Sequence, residues 1–287
     1  MESYLSPAEI SESLVSLGIK KTKHPIGKLI LLGVLAGAYI GFAGHLATSI
    51  STGWHIGGED VFLGIKKFMS GSVFAIGLML VLIVGAELFT GNCLMPVALY
   101  EKKITLKDML KNWGIVWISN FAGALILAGM IAGLSGLLDG ELGETAVKIA
   151  AAKSGLTAVQ MFVRGILANW IVCIAVLMCI AAKDITGKIL GIFFPIMGFV
   201  MAGFEHSIAN MYLIPVGLIV KSAHLGADAY PALNLINCFK SIMIVTAGNI
   251  VGGAVFVATA YHYLYVKKGS ASRSPMGFTA DRTKRTV

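Results

Sequence analysis

Six apolar blocks dominate this chain, and each is long enough to cross a lipid bilayer as an α-helix. About 20 consecutive apolar residues span the roughly 30 Å hydrocarbon core of a membrane. The blocks cover residues 26–50, 68–100, 113–138, 159–182, 189–220 and 235–266. They leave little chain for a soluble domain, and only 13% of the residues are charged. The sequence therefore predicts an all-α fold, a polytopic membrane bundle of six transmembrane helices.

Basic residues mark one side of the predicted bundle. Sixteen of the 23 lysines and arginines precede or begin the first block, separate the second from the third and the fourth from the fifth, or follow the last. With six crossings these four segments share one face, and cytoplasmic loops are the ones enriched in Lys and Arg. We therefore expect cytoplasmic N- and C-termini in an inner (cytoplasmic) cell membrane. This asymmetry explains the net charge of +8, so nucleic acid is not an expected partner.

Two segments flank the apolar blocks. Residues 1–24 contain the capping-box pattern Ser-Pro-Ala-Glu, followed by apolar residues at helical spacing, and no apolar core of a cleaved signal peptide. They predict a cytoplasmic amphipathic helix whose role stays open between an interfacial anchor and a gate over a pore. Residues 25–266 form the predicted transmembrane domain. Residues 267–287 form a basic cytoplasmic tail that we expect to be disordered.

Cysteine spacing and motif content argue against several kinds of site. Cys93, Cys173, Cys179 and Cys238 show no C-x-x-C spacing, so neither a zinc site nor a disulfide framework is predicted. No G-x-S-x-G or H-E-x-x-H motif is present, which argues against an intramembrane enzyme. Neither a metal nor a cofactor is expected.

The second and fifth blocks carry the same polar interruption. At 33 and 32 residues, both exceed the length of one ordinary span. The stretches S-N-F-A-G-A and G-N-I-V-G-G relate the third block to the sixth. Three spans per copy would invert the second copy, so we predict an inverted three-helix repeat with broken second and fifth helices. In each break a glycine precedes a glutamate by two residues and an asparagine follows it by five: Gly85, Glu87 and Asn92, and Gly203, Glu205 and Asn210.

Glu87 and Glu205 lie where broken helices would leave backbone amides unpaired in hydrocarbon, which costs several kcal/mol for each group. We therefore expect both carboxylates to accept hydrogen bonds from the freed amides, with Asn92 and Asn210 as further structural residues of the breaks. A direct proton-carrying role of the carboxylates is the alternative. The half-helix N-termini at the breaks favour an anion near the midplane.

Three longer motifs resemble signatures of the formate/nitrite transporter family. They are G-A-E-L-F-T-G-N at residues 85–92, A-N-W-I-V-C-I-A-V at residues 168–176 and G-F-E-H-S-I-A-N-M-Y at residues 203–212. The resemblance extends over nearly all of the chain, from Leu5 to about Tyr265. It implies an aquaporin-like bundle in a homopentamer, each protomer having its own pore for small monovalent weak-acid anions.

The resemblance also implies which residues face the permeant anion. His206 would lie at the pore centre opposite Thr90, with Asn169 near it and Lys153 at the floor of the external vestibule. Because an imidazole titrates near neutral pH, His206 is expected to share a proton with the anion. Apolar slits would exclude water and hydrated ions. The implied slit residues are Phe74, Leu78, Leu88, Phe89, Val172 and Phe199.

Energetics favour passage of the neutral acid. Moving a bare carboxylate into an apolar slit costs up to tens of kcal/mol. Protonating a carboxylate of pKa about 4 at pH 7 costs only about 4 kcal/mol. Formate is the expected permeant, and nitrite and hydrosulfide are the alternatives within the family. An aquaporin-type neutral-solute channel is a more distant alternative, because N-C-L-M-P stands where aquaporins have N-P-A.

Overall fold

The structure, a computed structural model, describes residues 4–56, 59–60, 62–226 and 228–266. Within these ranges it is helical except for turns and one short antiparallel hairpin, β1 (His55–Ile56) and β2 (Glu59–Asp60), which the sequence analysis missed. The predicted basic tail, residues 267–287, lies outside the described residues. The helices are α1 (Pro7–Thr22), α2 (Ile26–Ile50), α3 (Leu63–Met79), α4 (Phe89–Asn92), α5 (Pro96–Tyr100), α6 (Leu106–Ala128), α7 (Glu141–Ser154), α8 (Ala158–Ala181), α9 (Ile185–Met201), α10 (Ser207–His224) and α11 (Leu235–Ile250).

Five helical segments in the described part of the chain are long and apolar enough to cross a membrane. Three of them are helices that continue as π-helix. The prediction of an all-helical membrane fold is confirmed. The fifth apolar block is divided between α9 and α10, so a sixth crossing requires these two helices in series. The five segments are α2, Leu63–Gly85 (α3 and its continuation), Leu106–Leu134 (α6 and its continuation), α8 and Leu235–Val266 (α11 and its continuation).

The second and fifth apolar blocks are interrupted where the sequence predicted, and each interruption contains a glycine with positive φ. The helical segment that begins as α3 ends at Gly85, with φ of 108°, and Gly203, with φ of 75°, follows α9. Only glycine adopts this region without a steric cost. Each interruption is followed by a helix that starts inside the protein, because Phe89 and Ser207 are both buried.

Glycines set the closest helix crossings. α2 crosses α6 where a Cβ at Gly37 would overlap the carbonyl oxygen of Asn120. α8 crosses α11 in the same manner, and a Cβ at Gly248 would overlap the carbonyl oxygen of Phe162. Small residues let helix backbones approach this closely in membrane proteins. The two crossings bring Asn120 and Asn249 within hydrogen-bonding reach of the breaks.

Helix α1 begins with the predicted capping box. Ser6 Oγ accepts the Glu9 N–H at 3.4 Å, and a Glu9 carboxylate oxygen accepts the Ser6 N–H at 2.7 Å. Ile10 and Leu14 on its buried face pack in a cluster with Val97 of α5 and with residues of α8. This helix is therefore docked on the protein. Whether it anchors or gates stays a prediction.

Candidate functional site

The two helix breaks meet through one hydrogen bond. Thr90 Oγ1 and His206 Nε2 lie 2.9 Å apart, and both side chains are buried. Thr90 belongs to α4, and His206 is the residue that caps α10. The structure therefore brings together the two residues that the sequence analysis placed opposite each other.

The hydrogen bonds of His206 define which ring nitrogen carries the proton. Nδ1 accepts the N–H of Ala209 at 3.1 Å, so the proton of a neutral ring belongs on Nε2. Nε2 then donates to Thr90 Oγ1, which leaves the hydroxyl hydrogen of Thr90 for another acceptor. A second proton on Nδ1 would face the Ala209 N–H and remove this cap. The geometry therefore favours a neutral histidine that acts as a donor.

Two asparagines cap the buried helix N-termini in matching ways. Asn120 Oδ1 accepts the Phe89 N–H at 2.9 Å, and Asn249 Oδ1 accepts the Ser207 N–H at 2.9 Å. Each asparagine thus pairs one N–H and one carbonyl of a break, and it also ties the break to a carbonyl of a continuous neighbouring helix. The Nδ2 groups donate to the carbonyls of Gly33 and Glu87 from Asn120, and of Gly165 and Glu205 from Asn249.

The Glu205 carboxylate bonds to side chains. Lys153 Nζ lies 2.9 and 3.0 Å from its two oxygens, and Asn210 Nδ2 donates to one of them at 2.7 Å. The prediction that this carboxylate accepts a freed backbone amide is wrong. The physical reason is that Asn249 already accepts the Ser207 N–H, so Glu205 neutralises a lysine instead.

Glu87 has the matching arrangement at the other break. Lys21 Nζ lies 2.9 and 2.8 Å from its two oxygens, and Asn92 Nδ2 donates to it at 2.8 Å. The prediction of amide capping is wrong here for the same reason, because the Phe89 N–H goes to Asn120. Lys21 lies in the last turn of α1, so the N-terminal helix contributes directly to the break.

A cavity of about 780 Å³ extends from α7 to His206. Phe74 and Phe199 line it, with ring centroids 5.8 Å apart in an edge-to-face contact, and the Phe199 centroid lies 6.2 Å from that of His206. Aromatic carbon therefore borders the buried histidine. The charged lining comprises four lysines and three glutamates, which gives one excess positive charge: Lys66, Lys67, Lys148, Lys153, Glu141, Glu144 and Glu205.

The other predicted slit residues belong to the packed core outside the lining of this cavity. Leu78, Leu88 and Val172 are at most 3% exposed and share one hydrophobic cluster. Phe89 lies in the same cluster, with its ring 6.0 Å from that of Trp113 in an edge-to-face contact. Their role as a second slit stays a prediction.

Asn169 supports the pair of breaks. Its Nδ2 donates to the carbonyl of Thr90 at 3.2 Å and to the carbonyl of Asn249 at 2.7 Å. Both amide hydrogens are thus engaged by backbone oxygens. Asn169 fixes the turn that carries Thr90, and its Oδ1 accepts a hydrogen bond from the Cys173 thiol at 3.7 Å.

The motif resemblance extends to a match over the whole membrane part of the chain. The model of the family described as formate/nitrite transporter matches residues 8–263. The chain belongs to the formate/nitrite transporter family. The resemblance inferred from the three motifs is therefore confirmed, and the cavity, the breaks and the Thr90–His206 pair are features of a member of this transporter family.

Relatives and solved structures match over nearly their full length. A probable formate transporter of Methanothermobacter thermautotrophicus is 40% identical over 282 residues, 93% of this chain and 99% of the relative. The formate channel FocA of Escherichia coli (strain K12) is 33% identical over 278 residues, 92% of this chain and 95% of the relative. A solved pentameric formate channel with formate bound is 34% identical with a TM-score of 0.73, covering 84% of this chain and 98% of that chain.

Sequence reasoning missed three residues of the site in this family member, namely Lys21, Asn120 and Asn249. The two asparagines stand in the stretches that relate the third apolar block to the sixth, so the repeat already paired them. Lys21 stands five residues before the start of α2, and Lys153 stands five residues before the start of α8. This shared position relates Lys21 to Lys153 and could have identified Lys21 as a residue of the site.

We expect Asn120→Leu to destabilise the protein strongly. The substitution removes the partners of the Phe89 N–H and of the Glu87 carbonyl, at about 1–3 kcal/mol for each buried group. The thermal unfolding temperature in detergent measures the loss. Ile118→Ala, at a 63% exposed position two residues away, is the control and should unfold close to the wild type. Equal unfolding temperatures for Asn120→Leu and the control would contradict the capping role.

Proposed function

We propose that the protein conducts formate across the inner cell membrane, without covalent chemistry, through a pore centred on His206 and Thr90. The main support for this proposal is the buried Thr90–His206 hydrogen bond, which lies at the end of a cavity lined by lysines and glutamates. The names of the two relatives and of the solved channel support formate as the permeant. Nitrite and hydrosulfide are the competing permeants.

The proposed architecture is an aquaporin-like inverted repeat with six crossings, the fifth made by α9 and α10 in series. The matching hydrogen bonds of Asn120 and Asn249 support the repeat. Matching lysine–glutamate pairs on opposite sides of the breaks support it further. In this arrangement both termini are cytoplasmic, residues 1–24 form a cytoplasmic helical segment and residues 267–287 a cytoplasmic tail. By likeness to the solved pentameric channel, we propose a homopentamer.

Anion capture is the first proposed step. The cavity lining has one excess positive charge, and a cleft of one predominant sign raises the local concentration of counter-ions. Lys153 lies at its inner end, where Glu205 fixes its ammonium group. An anion that reaches this point meets the aromatic edges of Phe74 and Phe199, so it cannot proceed with a hydration shell.

Proton sharing through Thr90 is the second proposed step. His206 donates from Nε2 to Thr90 Oγ1, which turns the hydroxyl hydrogen of Thr90 toward an approaching anion. The anion is held by this hydrogen bond while a proton from the bulk solution reaches it through the cavity, at about 4 kcal/mol for a carboxylate at pH 7. It then passes the core residues as the neutral acid, which avoids the cost of a buried bare carboxylate.

Uptake of radiolabelled formate by liposomes that contain the purified protein tests this proposal. We expect saturable uptake above that of protein-free liposomes, rising as the external pH falls from about 7.5 to about 5.5, because the neutral acid forms more easily. Chloride, which has no accessible neutral acid, should cross poorly. Absence of formate uptake would contradict the proposal. If uptake of nitrite or hydrosulfide saturates at a lower concentration than uptake of formate, the pore is assigned to that anion.

A further inference from the structure

The two lysine–glutamate clusters at the breaks differ at one position of the segment that precedes the following helix. Lys21 and Lys153 each stand five residues before the helix that follows them. Two residues before the same helices stand His24 in the first cluster and Leu156 in the second. An imidazole is the side chain that changes charge near neutral pH. The cluster around Glu87 therefore has a titratable neighbour at a position where the other cluster has an apolar one.

His24 lies beside the Glu87–Lys21 ion pair. Its Nε2 is 3.9 Å from one carboxylate oxygen of Glu87, and Lys21 Nζ is 2.8 Å from the other. The side chains of His24 and Glu87 are 13% and 7% exposed, so solvent screens their interaction only in part. An imidazolium at this position competes with Lys21 for the carboxylate.

Burial and neighbouring charges keep His24 neutral until the solution becomes acidic. Burial is the largest cause that holds its pKa below the usual range, and repulsion by Lys28, Lys21 and Lys20 acts in the same direction. The Glu87 carboxylate opposes this shift. The lysines belong to α1 and α2, the two helices that His24 connects. Protonation of His24 therefore requires a more acidic solution than that of an ordinary histidine.

We propose that His24 is a positioning residue that strengthens anion capture by the Lys21–Glu87 cluster when the cytoplasmic side acidifies, an inference that rests on the proposed function. With a neutral His24, Lys21 and Glu87 cancel each other's charge. With a charged His24 the cluster has one net positive charge, and Glu87 is shared between two cations. Hydrogens on Lys21 then become available to a weak-acid anion. Leu156, at the corresponding position of the Lys153 cluster, cannot take a charge.

Sealed vesicles of the two opposite orientations test this inference. The KM and maximal rate of formate uptake are measured at about pH 7.5 and about pH 5.5. With the cytoplasmic face outward, we expect the wild-type KM to fall about fivefold more on acidification than the KM of His24→Leu, the size of one partly screened charge interaction. The maximal rates of the two proteins should agree. With the other face outward, their KM values should also agree.

Three further variants separate a charge effect from a packing effect. His24→Gln keeps a polar side chain without a titration and should behave as His24→Leu. His24→Arg holds a permanent charge and should keep the KM low at both pH values. Leu156→His places an imidazole near Lys153 and should transfer the extra pH dependence to the outer face.

The results distinguish this inference from the proposed function. If formate enters but the KM of His24→Leu changes with pH as the wild-type KM does, the inference is overturned and the proposed function stands. A retained pH dependence in His24→Gln would also overturn it. If the wild-type protein transports neither formate, nitrite nor hydrosulfide, the proposed function and the inference about His24 are both overturned, because anion capture by the Lys21–Glu87 cluster presupposes a permeant anion.

Discussion

Replacing His206 by phenylalanine should reduce formate uptake about 100-fold while the protein still folds. Phenylalanine fills the volume of the ring but neither donates to Thr90 nor accepts the Ala209 N–H. Thr90 then loses the donor that turns its hydroxyl hydrogen toward the anion, and the loss of that charge-assisted hydrogen bond costs about 1.5–3 kcal/mol, a factor of about 10 to 150. The upper part of this range applies, because the Ala209 N–H also loses its acceptor.

The variant His206→Asn separates donation by a neutral ring from titration of the ring. Asparagine is a good helix N-cap and also has a donor, so uptake should fall only about tenfold. Its rise toward acidic pH should persist, because that rise belongs to the permeant acid. A flat pH profile in His206→Asn would mean that the ring itself supplies the proton, against the assignment of Nδ1 as an acceptor.

Uptake of radiolabelled formate across the range of about pH 5.5 to about pH 7.5 measures both His206 variants on the same preparations. Tyr212→Phe is the matched control, because it removes a buried hydroxyl from the same helix and that hydroxyl has no hydrogen-bond partner among the described residues. The control should transport as the wild type does. Unchanged uptake in His206→Phe would show that the histidine is only a packed core residue without a role in transport.

The positions of the helices and of both breaks could be predicted from the sequence, because they depend on local properties. A run of about 20 apolar residues has to be helical in a membrane. The interruptions are marked in the sequence by a glycine and a glutamate two residues later, at Gly85 and Glu87 and at Gly203 and Glu205. The match of α2 to the first apolar block, 26–50, shows how far run length alone defines a span.

The partners inside the site could not be predicted in this way, because they depend on tertiary contacts. Glu87 is joined to Lys21 across 66 positions of sequence, and Asn120 reaches the Phe89 N–H across 31. From the sequence, the glutamates were the nearest polar groups to the broken backbone, so they were assigned the amides. The helix crossing at Gly37 brings Asn120 to the break. Its side-chain oxygen accepts the Phe89 N–H, so this amide does not need the Glu87 carboxylate.

The two ion pairs stabilise the fold less than the loss of one partner would destabilise it. A buried pair of opposite charges contributes little net stability, because desolvation offsets the attraction. Removing one partner is different, since the other charge is left buried without compensation. Lys153 and Glu205 fit this case, with side chains 17% and 5% exposed.

Glu205→Ala should therefore prevent stable folding, at a cost of about 3–5 kcal/mol for the broken pair. Asn210 Nδ2 also loses one of its two acceptors, which adds to the loss. Size-exclusion chromatography and thermal unfolding in detergent measure the effect. Glu101→Ala is the control, because its carboxylate is about one-third exposed and pairs with His262 at a helix end.

The double substitution Lys153→Met with Glu205→Gln should restore folding, because it removes both charges and leaves an amide oxygen for Asn210. Formate uptake should remain about tenfold below the wild-type rate, since the cavity then lacks the lysine at its inner end. Wild-type uptake in the double variant would show that the pair serves folding alone. Failure of the double variant to fold, with Glu205→Gln alone stable, would instead assign the instability to the lost lysine contacts and would contradict the charge-compensation argument.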